Sequence, residues 1–140
     1  MMAASAEELQ GTNGPFHILV ADDDVVNRSL LQRILEKRGH TVLLAEDGDM
    51  ALGMAEREQP DLLVVDLSMP IMGGIEMLRA IRRGVRDIDA DIPAIVLTGH
   101  DKADVYAECV ECGVTAIITK PVVAQLLHDE VAAVMSGRAR

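Results

Sequence analysis

Aromatic side chains are almost absent from this sequence. Phe16 and Tyr106 are the only two, and there is no tryptophan. The core must therefore be aliphatic, built from Leu, Ile, Val, Ala and Met. Platforms for stacking bases, sugars or flavin rings are lacking, which argues against single-stranded nucleic-acid binding. Basic residues are scarce too: thirteen Lys and Arg face twenty-three Asp and Glu, a formal charge of −10. Such a chain repels a nucleic-acid backbone and an anionic membrane surface. Mg²⁺, or a basic patch on a protein partner, suits it better. Cys109 and Cys112 are the only cysteines, too few for a disulfide framework. Their C-x-x-C spacing matches a redox motif but falls inside a helical pattern, so both read as buried helix residues. That usage fits a reducing cytoplasm. No apolar run reaches the length of a membrane span. The opening MMAASAEELQGTNGP has neither the basic start nor the apolar stretch of a secretory signal.

What is present points to one α/β domain. A chain of 140 residues, 49% of them hydrophobic, can bury about two-thirds of its unfolded surface. Residues 1–14 are small and polar and read as a disordered leader, 15–136 as the domain, and 137–140 as a tail with no room for an output domain. Strand-length aliphatic runs occur at 16–21, 41–45, 61–65, 94–98 and 115–119. Continuous apolar runs of this kind suit a parallel sheet covered on both faces. Helical patterns separate them. Over 25–38, Val26, Leu30, Leu31, Ile34 and Leu35 form one face, with Asp24 as N-cap and Gly39 as stop. Weaker patterns cover 48–58, 74–83 (Ile75, Leu78, Ile81) and 101–112, the last opening near Asp101. A final helix over 122–135 turns Val123, Leu126, Leu127, Val131 and Val134 inward. Met50, Met54 and Met77 read as core filler. The order is (βα)5, a doubly wound sheet whose ligands belong beyond the carboxyl ends of the strands.

The polar residues fall at those ends. Asp22, Asp23 and Asp24 follow the first strand, Asp66 ends the third, Thr98 the fourth and Lys120 the fifth. If the first and third strands are neighbours, Asp22, Asp23 and Asp66 converge. Carboxylates held together in a partly dry site repel, and a cation relieves that. Oxygen ligands without Cys or His select Mg²⁺ or Mn²⁺. A metal, a nucleophilic carboxylate, a lysine and a hydroxyl are the parts needed to position a transferring phosphoryl group and neutralise its charge. Carboxylates are known phosphoryl acceptors.

Four stretches in order, VADDD at 20–24, VVDLSMPIMGGIEML at 64–78, VLTG at 96–99 and TKP at 119–121, make the sequence resemble the receiver domain of two-component response regulators over about residues 16–135. The resemblance implies a flavodoxin-like five-stranded sheet of order 2-1-3-4-5. It implies Asp66 as phosphoacceptor and Asp23 as direct Mg²⁺ ligand. Asp22 would act partly through water, and the backbone carbonyl of Ser68 would be a further ligand. Thr98 becomes the hydroxyl that turns toward the phosphoryl group, Lys120 its lysine partner, and Lys120–Pro121 a cis peptide. The phosphodonor would be a histidine kinase or histidine phosphotransfer protein. A downstream protein would read the face of the fourth helix, fifth strand and fifth helix, with no nucleic acid or membrane involved. Such a domain catalyses only its own phosphorylation and dephosphorylation and lies in the cytoplasm. Three positions depart from the family. Ile117 stands where an aromatic usually couples to the hydroxyl. Met72-Gly73-Gly74 lacks the Asp that caps the third helix. Ser68 and Gly99 are small where the family tunes access of water.

Two other readings compete. Asp22-Asp23-Asp24-Val25-Val26 also fits the D-x-D-x-[TV] pattern of haloacid-dehalogenase-type phosphatases, but that leaves Asp66 without a role and supplies no paired acids after Lys120. The chain also reads equally well as a receiver fragment of a hybrid histidine kinase. Arg79, Arg82, Arg83 and Arg86 cluster near the end of the third helix, where cations complement its dipole. His100 reads as an exposed loop histidine; His17, His40 and His128 carry no signal.

Overall fold

Branched aliphatic runs form strands here because neighbouring helices can bury both of their faces. The computed structural model describes residues 14–99 and 103–138. Its elements alternate strictly: β1 (His17–Ala21), α1 (Val25–Glu36), β2 (Thr41–Ala45), α2 (Gly48–Glu58), β3 (Leu62–Asp66), α3 (Gly74–Arg82), β4 (Ala94–Thr98), α4 (Ala103–Glu111), β5 (Ala116–Thr119) and α5 (Ala124–Arg138). The strands make one parallel sheet in the order β2-β1-β3-β4-β5. β3 and β4 are buried along their whole length, whereas the edge strand β2 is mostly half-exposed. Residues 100–102, which include His100 and Asp101, lie outside the described residues together with 1–13 and 139–140.

The period-two alternation of side chains splits the core in two. Ile18, Val20, Leu62, Val64, Ile95, Leu97 and Ile118 meet α1 and α5 on one face. Leu19, Ala21, Leu63, Val65, Ala94 and Val96 meet α2, α3 and Cys109 of α4 on the other. α1 is held by Leu31, Ile34 and Leu35, all buried, each contributing about 2 kcal/mol of burial. Its start is fixed by Asp24, whose carboxylate accepts from the N–H groups of Val26 and Asn27. Asp47 caps α2 through the Met50 N–H, whereas Gly73 gives α3 no side-chain cap. Gly113 takes φ +69 just beyond α4, as a helix stop should.

Several inward-facing assignments are corrected. Val26 is 70% exposed, Leu30 42%, Val123 58%, Leu126 44% and Met50 43%. Their neighbours Leu31, Ala51, Leu52 and Leu127 lie in the same turns and are buried, so the exposed residues sit on the open flank of each helix start. Periodicity finds the apolar side of a helix but not how much of its width the sheet covers. Met77 is fully buried and Met54 packs against the core, as expected.

At the opposite edge the start of β1 is anchored by His40. The Phe16 N–H donates to Nδ1 of His40 at 3.0 Å, and the two rings stack with centroids 5.5 Å apart. Gly14, at φ +103, lies so close that a Cβ there would sit 2.6 Å from the imidazole. The Gly14–Pro15 and Lys120–Pro121 peptides are both cis.

Candidate functional site

Because β1 and β3 are neighbours, the acids that follow them meet. Ligand oxygens of Asp22, Asp23 and Asp66 all lie within 4.8 Å of one another. Asp22 and Asp66 are buried and Asp23 is exposed, so the cluster is a pit with one acid at its rim. Lys120 closes the far side: its Nζ donates to Oδ2 of Asp66 at 2.8 Å. The other oxygen of Asp66 accepts from the Ser68 N–H at 3.2 Å. Oδ1 of Asp22 accepts from the Asp24 N–H at 2.9 Å, while its Oδ2 is buried without a hydrogen-bond partner. Thr98 ends β4, is buried, and takes the Lys120 N–H on its carbonyl at 2.8 Å. Asp22, Asp23, Asp66, Ser68, Thr98 and Lys120 thus share one edge of the sheet.

The electrostatics follow from burial. Asp22 is pushed up to about 6, first by burial and then by the nearby charges of Asp66 and Asp23, against the Asp24 N–H and Lys120. Burial lowers Lys120, but its hydrogen bond to Asp66 and the charges of Asp66, Asp22 and Asp23 outweigh it and hold it above the ordinary lysine value. A buried, orphaned carboxylate oxygen among three converging carboxylates, with no nitrogen or sulfur donor, fits a hard divalent cation.

The loop after β3 is tightly fitted. A Cβ on Gly74 would lie 2.8 Å from the Asp66 carbonyl oxygen and 2.9 Å from a Val65 methyl, so only glycine lets α3 start so close to the acid. Ile71 takes φ +68 in the left-handed region, with its side chain 83% exposed. For a β-branched residue that costs on the order of 1–2 kcal/mol. Ile117 pairs in register with Val96 and packs, partly buried, on the α2–α3 face of the sheet. Tyr106 on α4 is exposed. A cleft of about 460 Å³ opens beside the pit, lined among others by Asp22, Asn27, Leu30, Gly99, Lys120 and Pro121.

The arginines near the end of α3 are largely spoken for by other parts of the fold. Arg82 donates to the carbonyls of Ala90, Cys112 and Gly113 at 2.8, 2.8 and 3.2 Å. Arg79 reaches Glu108 and Glu111 of α4, and Arg86 reaches Glu56 of α2. Sequence patterns could not reveal the Arg82 contacts, whose acceptors are backbone carbonyls. The Arg28 contact has no sequence signature for the same reason: its guanidinium donates to the Asp22 carbonyl at 2.8 Å. Cys109 and Cys112 are buried and unpaired. Burial first, then Cys112 and Glu108, push the Cys109 thiol up, away from thiolate reactivity.

Fold and pit together define a doubly wound α/β domain with its chemistry at the carboxyl edge, beside the strand where the sheet order reverses. The chain belongs to the response regulator receiver domain family, which it matches over residues 18–132. It is thus a phosphoacceptor signalling module, and the phosphatase reading, which gives Asp66 no role, is not favoured. It is 38% identical over 115 residues to the sensory/regulatory protein RpfC of Xanthomonas campestris, covering 82% of this chain but 16% of that protein. It is 39% identical over 104 residues to the response regulator MprA of Mycobacterium tuberculosis, covering 74% of this chain and 44% of MprA. The signal receiver domain of a signal transduction histidine kinase from Syntrophus aciditrophicus superposes with a TM-score of 0.78 at 30% identity, covering 87% of this chain and 91% of that one. The chain spans less than half the length of these curated relatives, from 16% of RpfC to 44% of MprA.

Proposed function

We propose that Asp66 accepts a phosphoryl group from a phosphohistidine of a histidine kinase or histidine phosphotransfer protein. The observation that carries this is the Asp66 carboxylate, held at 2.8 Å by Lys120 and clustered with Asp22 and Asp23 at a strand end. A carboxylate oxygen of Asp66 attacks phosphorus, the P–N bond breaks with its electron pair going to nitrogen, and the donor leaves as a neutral imidazole that keeps the proton on its other ring nitrogen. Lys120 meets the charge on the phosphoryl oxygens from one side, and the Thr98 hydroxyl is the second donor. Asp22, Asp23, Asp66 and the Ser68 backbone carbonyl would hold Mg²⁺ or Mn²⁺, which supplies charge neutralisation when bound. In this reading the domain catalyses its own phosphorylation and dephosphorylation.

Two surfaces support partners. Val25, Val26 and Leu30 expose an apolar patch on α1 beside the pit, suited to the phosphodonor. Tyr106 and Val110 expose a second on α4, part of the α4-β5-α5 face proposed as the readout. The same chemistry serves whether the domain stands alone or lies within a hybrid kinase. No described helix is long and apolar enough to cross a membrane. The two unpaired thiols support a cytoplasmic location.

The test is intact mass after incubation with a small phosphodonor and Mg²⁺. Wild type should gain one labile phosphoryl adduct and Asp66→Asn none. An adduct that persists on Asp66→Asn overturns the assignment.

A further inference from the structure

Besides the Asp24 N–H to Asp22 Oδ1 bond and the first backbone bond of α1, the loop that carries the two acids is fixed at three points. The Asp22 N–H donates to the Ala45 carbonyl of β2 at 3.0 Å. The Asp22 carbonyl accepts Nη1 of Arg28 at 2.8 Å. The Asp24 carboxylate turns away from the pit to cap α1, accepting from the N–H groups of Val26 and Asn27 at 2.8 and 3.1 Å. Asp23 sits between these anchors and is exposed. Of the three, only the Arg28 contact is made by a side chain to the peptide that joins Asp22 to Asp23. The guanidinium is half-buried and bonds a carbonyl rather than a carboxylate. It therefore takes no oxygen from the cluster, and Oδ2 of Asp22 keeps no hydrogen-bond partner.

We propose that Arg28 is a positioning residue for the divalent cation, fixing through the Asp22 carbonyl the backbone from which Asp22 and Asp23 present their carboxylates. This rests on the reading of Asp22, Asp23 and Asp66 as the cation site. Outer-shell partners of metal ligands typically matter tenfold to a hundredfold in affinity. Simple electrostatics predicts the opposite sign: Arg28 is a cation near a cation site, so its removal should tighten binding. The two accounts are therefore separable by direction alone.

The experiment is a Mg²⁺ titration of the full chain without phosphodonor, followed by the amide resonances of residues 22–24, with urea unfolding of each variant as a control. Arg28→Met, which keeps the stem and loses the donors, should bind at least roughly tenfold more weakly than wild type. Arg28→Lys, which keeps a donor and the charge, should recover to within about threefold. Equal or tighter binding by Arg28→Met overturns the proposal. If Arg28→Met does not fold, Arg28→Gln takes its place, since its shorter amide falls short of the carbonyl; weaker binding is again expected, and equal or tighter binding again overturns it. Asp23→Ala separates the two readings. Loss of binding there with none in Arg28→Met sinks the Arg28 role alone, whereas a wild type that binds no Mg²⁺ sinks the cation site with it.

Discussion

His40 holds the first residues of the domain through a nitrogen that must stay unprotonated, since Nδ1 accepts the Phe16 N–H. Burial, with His128 and Arg38 beside it, lowers its pKa below the ordinary histidine value. Asp129 lines the same cleft as His40 and His128. The folded state therefore binds a proton less readily than the unfolded chain. The contribution of His40 to stability is full above the unfolded value of about 6.5 and is lost as pH falls through the lower folded value. His40→Asn keeps an acceptor that does not titrate. Urea unfolding between pH 7.5 and pH 5.5 should show a loss in wild type that His40→Asn reduces, and equal slopes would refute the role. At this scale the sequence was unevenly legible. Asp66, Thr98 and Lys120 could be placed because each ends an aliphatic run. Arg28, Arg82 and His40 could not, because their partners are backbone atoms, which leave no residue-type signature at any spacing.

Among the elements, the five strands and five helices were legible to within a few residues, since apolar runs and caps mark them directly. The exposure of Val26, Leu30, Val123 and Leu126 was not, since it depends on how much of each helix's width the sheet covers. Nor was the seam between α3 and α4. Arg79 pairs with Glu108 and Glu111, and Arg82 ties the loop after α3 to the carbonyls that end α4. α4 is thus fastened at its C-terminal end. Arg82→Met should cost on the order of 2 kcal/mol, the scale of lost charge-assisted hydrogen bonds, read by urea unfolding. Hydrogen exchange should quicken at residues 112–114, and unchanged exchange there would count against the fastening.

Over the whole molecule the dominant feature is charge. A domain at −10 works against its own compaction, and three of its acids are forced together in one pit. A cation bound there should stabilise the fold beyond general screening. Mg²⁺ at about ten times its dissociation constant adds roughly 1.4 kcal/mol, or about 3–5 °C in Tm for a domain of this size. Sodium chloride at matched ionic strength should give less, and Asp23→Ala should abolish the difference. A Tm that follows ionic strength alone would contradict a specific site. The sheet order also has a bearing on how the chain is made. β2 and β3 each add to a free edge of β1, then β4 to β3 and β5 to β4, so a nascent chain never has to insert a strand between two already joined. By the time Asp66 leaves the ribosome, all three pit acids are available, whereas Lys120, which pairs with Asp66, arrives after the last strand. Until then the growing sheet carries the acid cluster without its lysine partner.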